Sequence, residues 1–597
     1  MKKTRIVINR AEGFVIAAAV IIAAGAIFAS CGNRASRPIV LPETSEDKRF
    51  PENFDRQVAW DVLDTVDAGF PFDQYIEDQH EKWYLGRQAR LDWWHQFPWV
   101  SVEDSMNNYE TLQPVVAITG IDAVALTPVG NEVEAVTLMM ATGDFPDMIT
   151  LDPEHFLTKQ LIEGGYVYSI NELAERFDPG FYNNFPENVR RAGTYDDGSW
   201  WGVTGMTVAD WQYEDPDNPF GLGNIGYNVR LDIWDALGRP SIATPDDLYN
   251  TLVRFKQEYP TLGGRTSVGI GGYGDNGKAV LITMQYSFGI RQWVTINPDT
   301  NEVTIFALDP KYPEFVAFMN RLYREGLLDP EFFVKDLTQQ VETFATNAFM
   351  MPWVYHALDS ANNTLRARDP NSVFVAIPPM TAVGDRFQFG SSGIGFSLMG
   401  GASMTMIPRR SKDPEAALRL IRYGFSPAGS LQLHFGNPGT YFYVDDNIVT
   451  RSPMVLEAME SDFGRFVLQT GLRQYYALVF HPLREALSAT GTRLEFDIPN
   501  TFPYAYDSTI ETYHMQPMPS TDEGIAYNMS ISIADRDTAL AITAATAEES
   551  ERIVSRMQDR IRSVPDYNQM VLFLTDKYAE NLERFGAPRW GNPHFNR

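Results

Sequence analysis

The chain has 597 residues, with 77 acidic and 49 basic side chains and a formal net charge of −28. This balance repels phosphate backbones and no basic stripe offsets it, which excludes nucleic acid as a partner. With 44% hydrophobic and 13% aromatic residues, the apolar content is ample for a buried core, so the acidity belongs to a solvated surface and not to disorder.

At the N-terminus, Lys2, Lys3, Arg5 and Arg10 precede an apolar run from Phe14 to Phe28. A membrane-spanning helix needs about 20 apolar residues, so the run reads as the core of an export signal over residues 1–30. Removing that leader takes the charge to −31. The single cysteine, Cys31, excludes an internal disulfide. Phe28-Ala29-Ser30-Cys31-Gly32 resembles the lipobox of bacterial lipoproteins, which implies lipidation of Cys31. Acyl chains contribute about 0.8 kcal/mol per buried methylene, enough for anchoring without a spanning helix. The expected location is the outer face of the cell membrane, toward the periplasm or the cell exterior. Residues 31–88 read as a tether and N-terminal extension, because they are polar and Pro-containing at first and then aromatic and acidic without a period.

A regular pattern begins near residue 89. "RQARLDWWHQF" reads as a strand and loop, "IDAVALTPV" as a strand, "NEVEAVTLMMATG" as a helix with Val133, Val136 and Met140 on one face, and "DMITL" as a strand. Strand, helix and strand in close succession predict a parallel sheet covered by helices. Thr244-Pro245 starts a helix carrying Leu248, Leu252 and Phe255 on one face, which Pro260 stops. Others follow Pro313, ending at Gly326, and Asp413-Pro414. Thr546-x-x-Glu549 is a capping-box candidate ahead of Ile553, Met557 and Ile561.

"MMATGDFPDMIT", "DGSWWGVTG", "IGYNVRLDIWDALGRPSIATPDDLYNTLVRFK", "LYREGLLDPEFF", "FATNAFMMPW" and "KDPEAALRLIRYGFSPAGSLQLHFGNPGTYF" occur in that order. Together they resemble the segments of the bacterial extracellular solute-binding protein family 1, the sugar-binding lipoproteins of ABC importers. Gly226 and Thr204 depart from the family pattern, as does Thr346-Asn347. The resemblance implies an α/β fold of two lobes, a periplasmic-binding-protein-like architecture with parallel-rich sheets flanked by helices and the ligand in the cleft between them. It places the first lobe at 89–204 plus 372–445 and the second at 205–371 plus 446–590. It further implies a monomer that captures a carbohydrate, an oligosaccharide by expectation, and delivers it to the permease subunits of an importer, with no catalysis and no cofactor.

The residues support the same direction. No two of the eight histidines lie at i, i+4 spacing, "HEKWY" fails as a metalloprotease motif at Tyr84, and no P-loop or G-x-S-x-G elbow occurs. "VGIGGYGDNG" lacks the Lys-Ser/Thr of a phosphate cradle and reads as a strand-end loop. A pair of glycosidase carboxylates is defined in space, not along the chain, so a secreted carbohydrate-active enzyme stays open, as does a cell-surface lipoprotein with no transport role. Sugar rings offer apolar faces and hydroxyl rims, so a site for them combines flat aromatics with carboxylate and amide partners. The candidates near expected strand ends are Trp94, Asp152, Trp201, Asp210, Trp211, Trp293, Trp353 and Tyr355. Trp353 follows the segment whose family counterpart supplies a stacking tryptophan. No metal ligand set is expected.

Overall fold

The computed structural model describes residues 66–585, apart from 98–103, 127–131, 186–189, 191–192, 196, 206–224, 355–357, 370–371, 378–379, 384–388, 391–402, 446–447, 473–477, 479–504 and 507–513. The signal segment, Cys31, Asp210, Trp211 and Tyr355 lie outside the described residues.

Two sheets organise the chain. The first contains β1 (Ala89–His95), β2 (Ile121–Leu126), β3 (Met148–Leu151) and β4 (Val203–Gly205). The second contains β5 (Ile225–Arg230), β6 (Val268–Ile270), β7 (Ala348–Val354) and β8 (Phe374–Ile377). A late strand, β9 (Ser403–Met406), returns to the first sheet, giving the orders β2-β1-β3-β9-β4 and β8-β5-β7-β6.

In the first sheet, β2 and β3 flank β1 as parallel neighbours, joined over it by the helix Glu132–Thr142, so the predicted strand-helix-strand unit forms. All four residues of β3 are buried, as expected for a parallel strand covered on both faces. Leu91 and Trp93 face one buried layer and Trp94 the other. β9 pairs antiparallel with both β3 and β4. The second lobe's core gathers Tyr227, Phe255, Phe315 and Phe349 around β5 and β7, which run antiparallel. Asn228 on β5 donates its side-chain amide to the carbonyls of Met351 and Trp353 at 2.9 and 2.8 Å, tying the central pair together.

Local signals are realised where the sequence places them. Thr244 and Asp247 form a reciprocal capping box, Thr546 accepts the Glu549 N–H at 3.1 Å, and Gly326 ends its helix at φ 68. The "FATNAFMM" run divides: Phe344 to Thr346 complete the helix Leu337–Thr346, and the strand starts at Ala348.

The lobe limits differ from those drawn on the sequence. β8, beyond the boundary at 372, pairs with β5 and belongs to the second sheet, so the chain crosses back only after Ile377. The helix Pro453–Thr470 ends against the first lobe: Thr111 donates to the Thr470 carbonyl at 2.8 Å, and Leu478 is part of the first lobe's core. The extension before β1 is partly folded. Val66 pairs with Val444, and the helix Phe72–Trp83 lays Trp83 edge-on against Tyr423 at 5.7 Å.

The C-terminal helices Asp522–Ile542, Ala547–Arg562 and Tyr567–Phe585 complete the second lobe. Asn320 ties down the end of the first of them by donating to the carbonyls of Ala541, Ile542 and Ala544 at 3.2, 3.0 and 2.9 Å. Among the described residues, no helix is long and apolar enough to cross a membrane.

Candidate binding cleft

Topology fixes where a ligand site lies. β1, β2 and β3 are parallel and end at one edge of the first sheet; β9 starts there with Ser403, which pairs with Gly205 at the end of β4. At the second sheet, β6, β7 and β8 end at the edge where β5 begins. The chain passes from Gly205 to Ile225 and again from Ile377 to Ser403, so two crossings join the same two edges. The edges therefore border one cleft, beyond the carboxyl ends of the parallel strands, where open α/β sheets bind ligands.

The loop after β3 carries the richest chemistry on the first edge. The Asp152 N–H donates to the Gln96 side-chain oxygen at 2.9 Å, and the Asp152 carboxylate accepts the Glu154 N–H at 2.8 Å. Burial, augmented by the Glu154 charge and opposed by that N–H, pushes the Asp152 carboxyl up to about 7. Burial also pushes Glu154 up, but His514 and Lys159 outweigh it and hold the Glu154 carboxyl below its ordinary value. The two carboxyls thus shift in opposite directions.

The unfolded chain releases the Asp152 proton near the ordinary carboxylate value, whereas the folded chain holds it to about 7. The folded state binds more protons across that window, so this group's contribution is greatest at low pH and is lost as pH rises through 7. Asp152→Asn removes the titration. The variant is expected to gain thermal stability over the parent at pH 8 and to lose that advantage at pH 4; an equal difference at both pH values would refute the assignment.

Next to this loop, His95 ends β1 wholly buried, its ring 4.2 Å from the Trp93 ring. Burial lowers its pKa to about 3, keeping the imidazole neutral. Trp93 donates its indole N–H to Thr150 at 2.7 Å, and Thr150 meets Thr405 at 2.9 Å. These side chains are wholly buried, so they brace the strands behind the edge.

The structure distributes the sequence candidates unevenly. Asp152 lies on the cleft edge. Trp94 is buried in the layer behind it with Val136, Ile149 and Leu157. Trp353 is the penultimate residue of β7 at the second edge, opposite Gly226, with 6% of its surface exposed and its ring in the second-lobe core. Trp201 precedes β4 at the end away from Gly205 and packs against the Met404 and Met406 layer. Trp293 packs, partly buried, against the second-lobe core: it adopts φ 69, and the Lys278 ammonium sits 4.4 Å from its ring centroid. Positive φ is rare for a bulky residue and marks a locally constrained backbone. Glu154, Lys159 and His514, which meet near Asp152, are not among the sequence candidates. His514 is 360 residues from Glu154, a separation no local pattern spans. Among the described residues, no group of three or more His, Cys, Asp or Glu side chains is arranged to hold a metal ion.

No protein-family model matches the chain. Over 134 residues, 22% of this chain and half the length of the relative, it is 25% identical to an uncharacterized protein in the butB 5' region of Niallia circulans. Solved structures resemble it over far more of its length. An extracellular solute-binding protein from Bifidobacterium longum subsp. infantis superposes with a TM-score of 0.59 at 14% identity, covering 83% of this chain and 98% of that one. The alginate-binding protein AlgQ2 without calcium ion gives 0.57 at 17% identity, with 83% and 99% covered. The S. pneumoniae ABC-transporter substrate-binding protein FusA in complex with kestose gives 0.57 at 16%, also with 83% and 99% covered. The fold is that of the two-lobe extracellular solute-binding proteins.

Proposed function

We propose that this two-lobe protein is exported, captures an oligosaccharide in the cleft by lobe closure, and hands it to the permease of an ABC importer without chemical change. The observation that carries the reading is the pair of sheet edges joined by two crossings, with Asp152 at one and the carboxyl ends of β6 and β7 at the other. Kestose in FusA and Man1GlcNAc in the N-glycan transport solute-binding protein NgtS of S. pneumoniae, both of similar fold, support a carbohydrate as the solute. Asp210, Trp211 and Tyr355, which follow β4 and β7 along the chain, are proposed as further ligand contacts. The protein acts as a monomer, anchored through a lipidated Cys31.

A glycosidase reading draws on one observation, the opposite shifts of Asp152 and Glu154. Both residues sit on one turn of one lobe, and both Glu154 oxygens accept the His514 N–H. Hydrolysis instead needs two carboxyls flanking the scissile bond.

The test is thermal unfolding of the purified protein with kestose, alginate oligosaccharide and Man1GlcNAc. A ligand at 100 times its Kd stabilises by about 2.7 kcal/mol, so a true ligand raises the Tm by several degrees and is recovered intact. Turnover of the glycan, abolished by Asp152→Asn, would favour the enzyme. In cells, Cys31→Ser is expected to release the protein from the membrane fraction; retention equal to the parent would remove the anchor from the proposal.

A further inference from the structure

The chain passes between the lobes a third time, from Leu478 in the first lobe's core to Met515 in the second's. At the far end of this crossing, the main chain of His514 to Gln516 is gripped by the first lobe. Lys159, on the helix Phe156–Glu163, donates its ammonium to the His514 carbonyl at 3.2 Å and to the Gln516 carbonyl. Glu154 accepts the His514 N–H with both oxygens, at 2.9 and 2.8 Å, and lies 3.1 Å from His514 Nδ1. The Tyr195 ring, also from the first lobe, lies 4.7 Å from the His514 ring.

Three features separate this from an ordinary surface ion pair. Lys159 is only 8% exposed, so its ammonium is held by protein acceptors and not by water. The partners are main-chain groups outside any helix or strand, so the grip acts on the path of the chain. His514 stands at φ 57, a conformation a non-glycine residue holds only when its surroundings enforce it. Between the two gripped carbonyls, Met515 plugs into the second-lobe core with 3% exposure. The segment is thus fastened to one lobe by its backbone and to the other by its side chain.

We propose that Glu154 and Lys159 form the fixed pivot of the two lobes, clamping the third crossing so that opening and closing turn about His514–Gln516. Where such a clamp exists, the angular range of the lobes is set by two polar side chains in addition to the length of the connections. The inference depends on capture by lobe closure only for its effect on affinity; its effect on lobe geometry stands without any ligand.

The experiment uses the full chain on a Cys31→Ser background, with nitroxide labels at exposed Glu81 on the first lobe and Gln257 on the second. Pulsed electron-electron spectroscopy reads the distance distribution without ligand. The parent is expected to give a narrow distribution. Glu154→Gln, Lys159→Met and their combination are expected to broaden it at least twofold, while Lys159→Arg, which keeps a cation and its donors, restores the narrow one. If Lys159→Met does not fold, Glu154→Gln, which preserves volume, carries the comparison against Lys159→Arg. An unchanged width in folded Glu154→Gln would overturn the pivot. The second readout is affinity for whichever of kestose, alginate oligosaccharide or Man1GlcNAc binds the parent: a wider free ensemble dilutes the binding-competent state, so the apparent Kd rises about three- to tenfold. Failure of all three glycans to bind counts against the proposed ligand class and leaves the distance measurement to decide the pivot.

Discussion

Trp353→Ala is expected to lower the unfolding free energy by about 3–5 kcal/mol, the range for deleting a buried tryptophan side chain. The residue is 6% exposed, and its neighbours on β7, Met350 and Met351, are wholly covered. Its ring lies in the second-lobe core, and its carbonyl accepts the Asn228 side chain, so truncation leaves a large cavity beside the tie that holds β5 to β7. Urea unfolding monitored by fluorescence and circular dichroism measures the loss, provided the m-value is unchanged. Read from sequence as a sugar platform, the same tryptophan predicts a ten- to thirtyfold loss of affinity with little change in stability. A stability loss under about 1 kcal/mol together with that affinity change would return Trp353 to the ligand.

Gly436→Ala is expected to destabilise by about 2–4 kcal/mol, combining a strained backbone with overpacking. Gly436 closes the helix Pro427–Phe435 at φ 90 and ψ −149, close to a region that essentially only glycine occupies. A Cβ there would stand 2.9 Å from Tyr441 Cγ and 3.1 Å from a Leu472 methyl, both buried, so neither neighbour has room to yield. The "FGNPG" stretch, one of the segments that carries the family resemblance, thus has a local cause: the chain must reverse between helix and strand against a tyrosine. Equal unfolding midpoints for the parent and Gly436→Ala would contradict this account.

What the sequence made legible was local or periodic. Thr244-Pro245, Asp413-Pro414 and the Val133/Val136/Met140 spacing each act within a turn or two of chain, and each element formed where expected. Boundaries set by long-range pairing were not legible. β8 reads equally well as a strand of either sheet, and only its register with β5 assigns it. The candidate site follows the same rule. The place of Asp152 at the sheet edge was legible because it directly follows a strand. The burial of Trp94 was not, since in a sheet covered on both faces a strand-end aromatic is as readily core as ligand platform. Lys159 and Glu154 gave no signal, because what distinguishes them is a main-chain segment more than 350 residues away.

The late return of β9 has a consequence for how the molecule is made. β9 fills the gap between β3 and β4, yet roughly 200 residues separate it from β4. At about 5–20 residues per second, a ribosome takes about 10–40 s to supply them. Throughout that interval β3, buried on every residue in the finished fold, has an open edge with unpaired amides and carbonyls, the feature that recruits foreign strands. The first lobe therefore cannot close as its own stretch of chain emerges. A chain cut between the two sheets is expected to be an aggregation hazard and not half of a working protein.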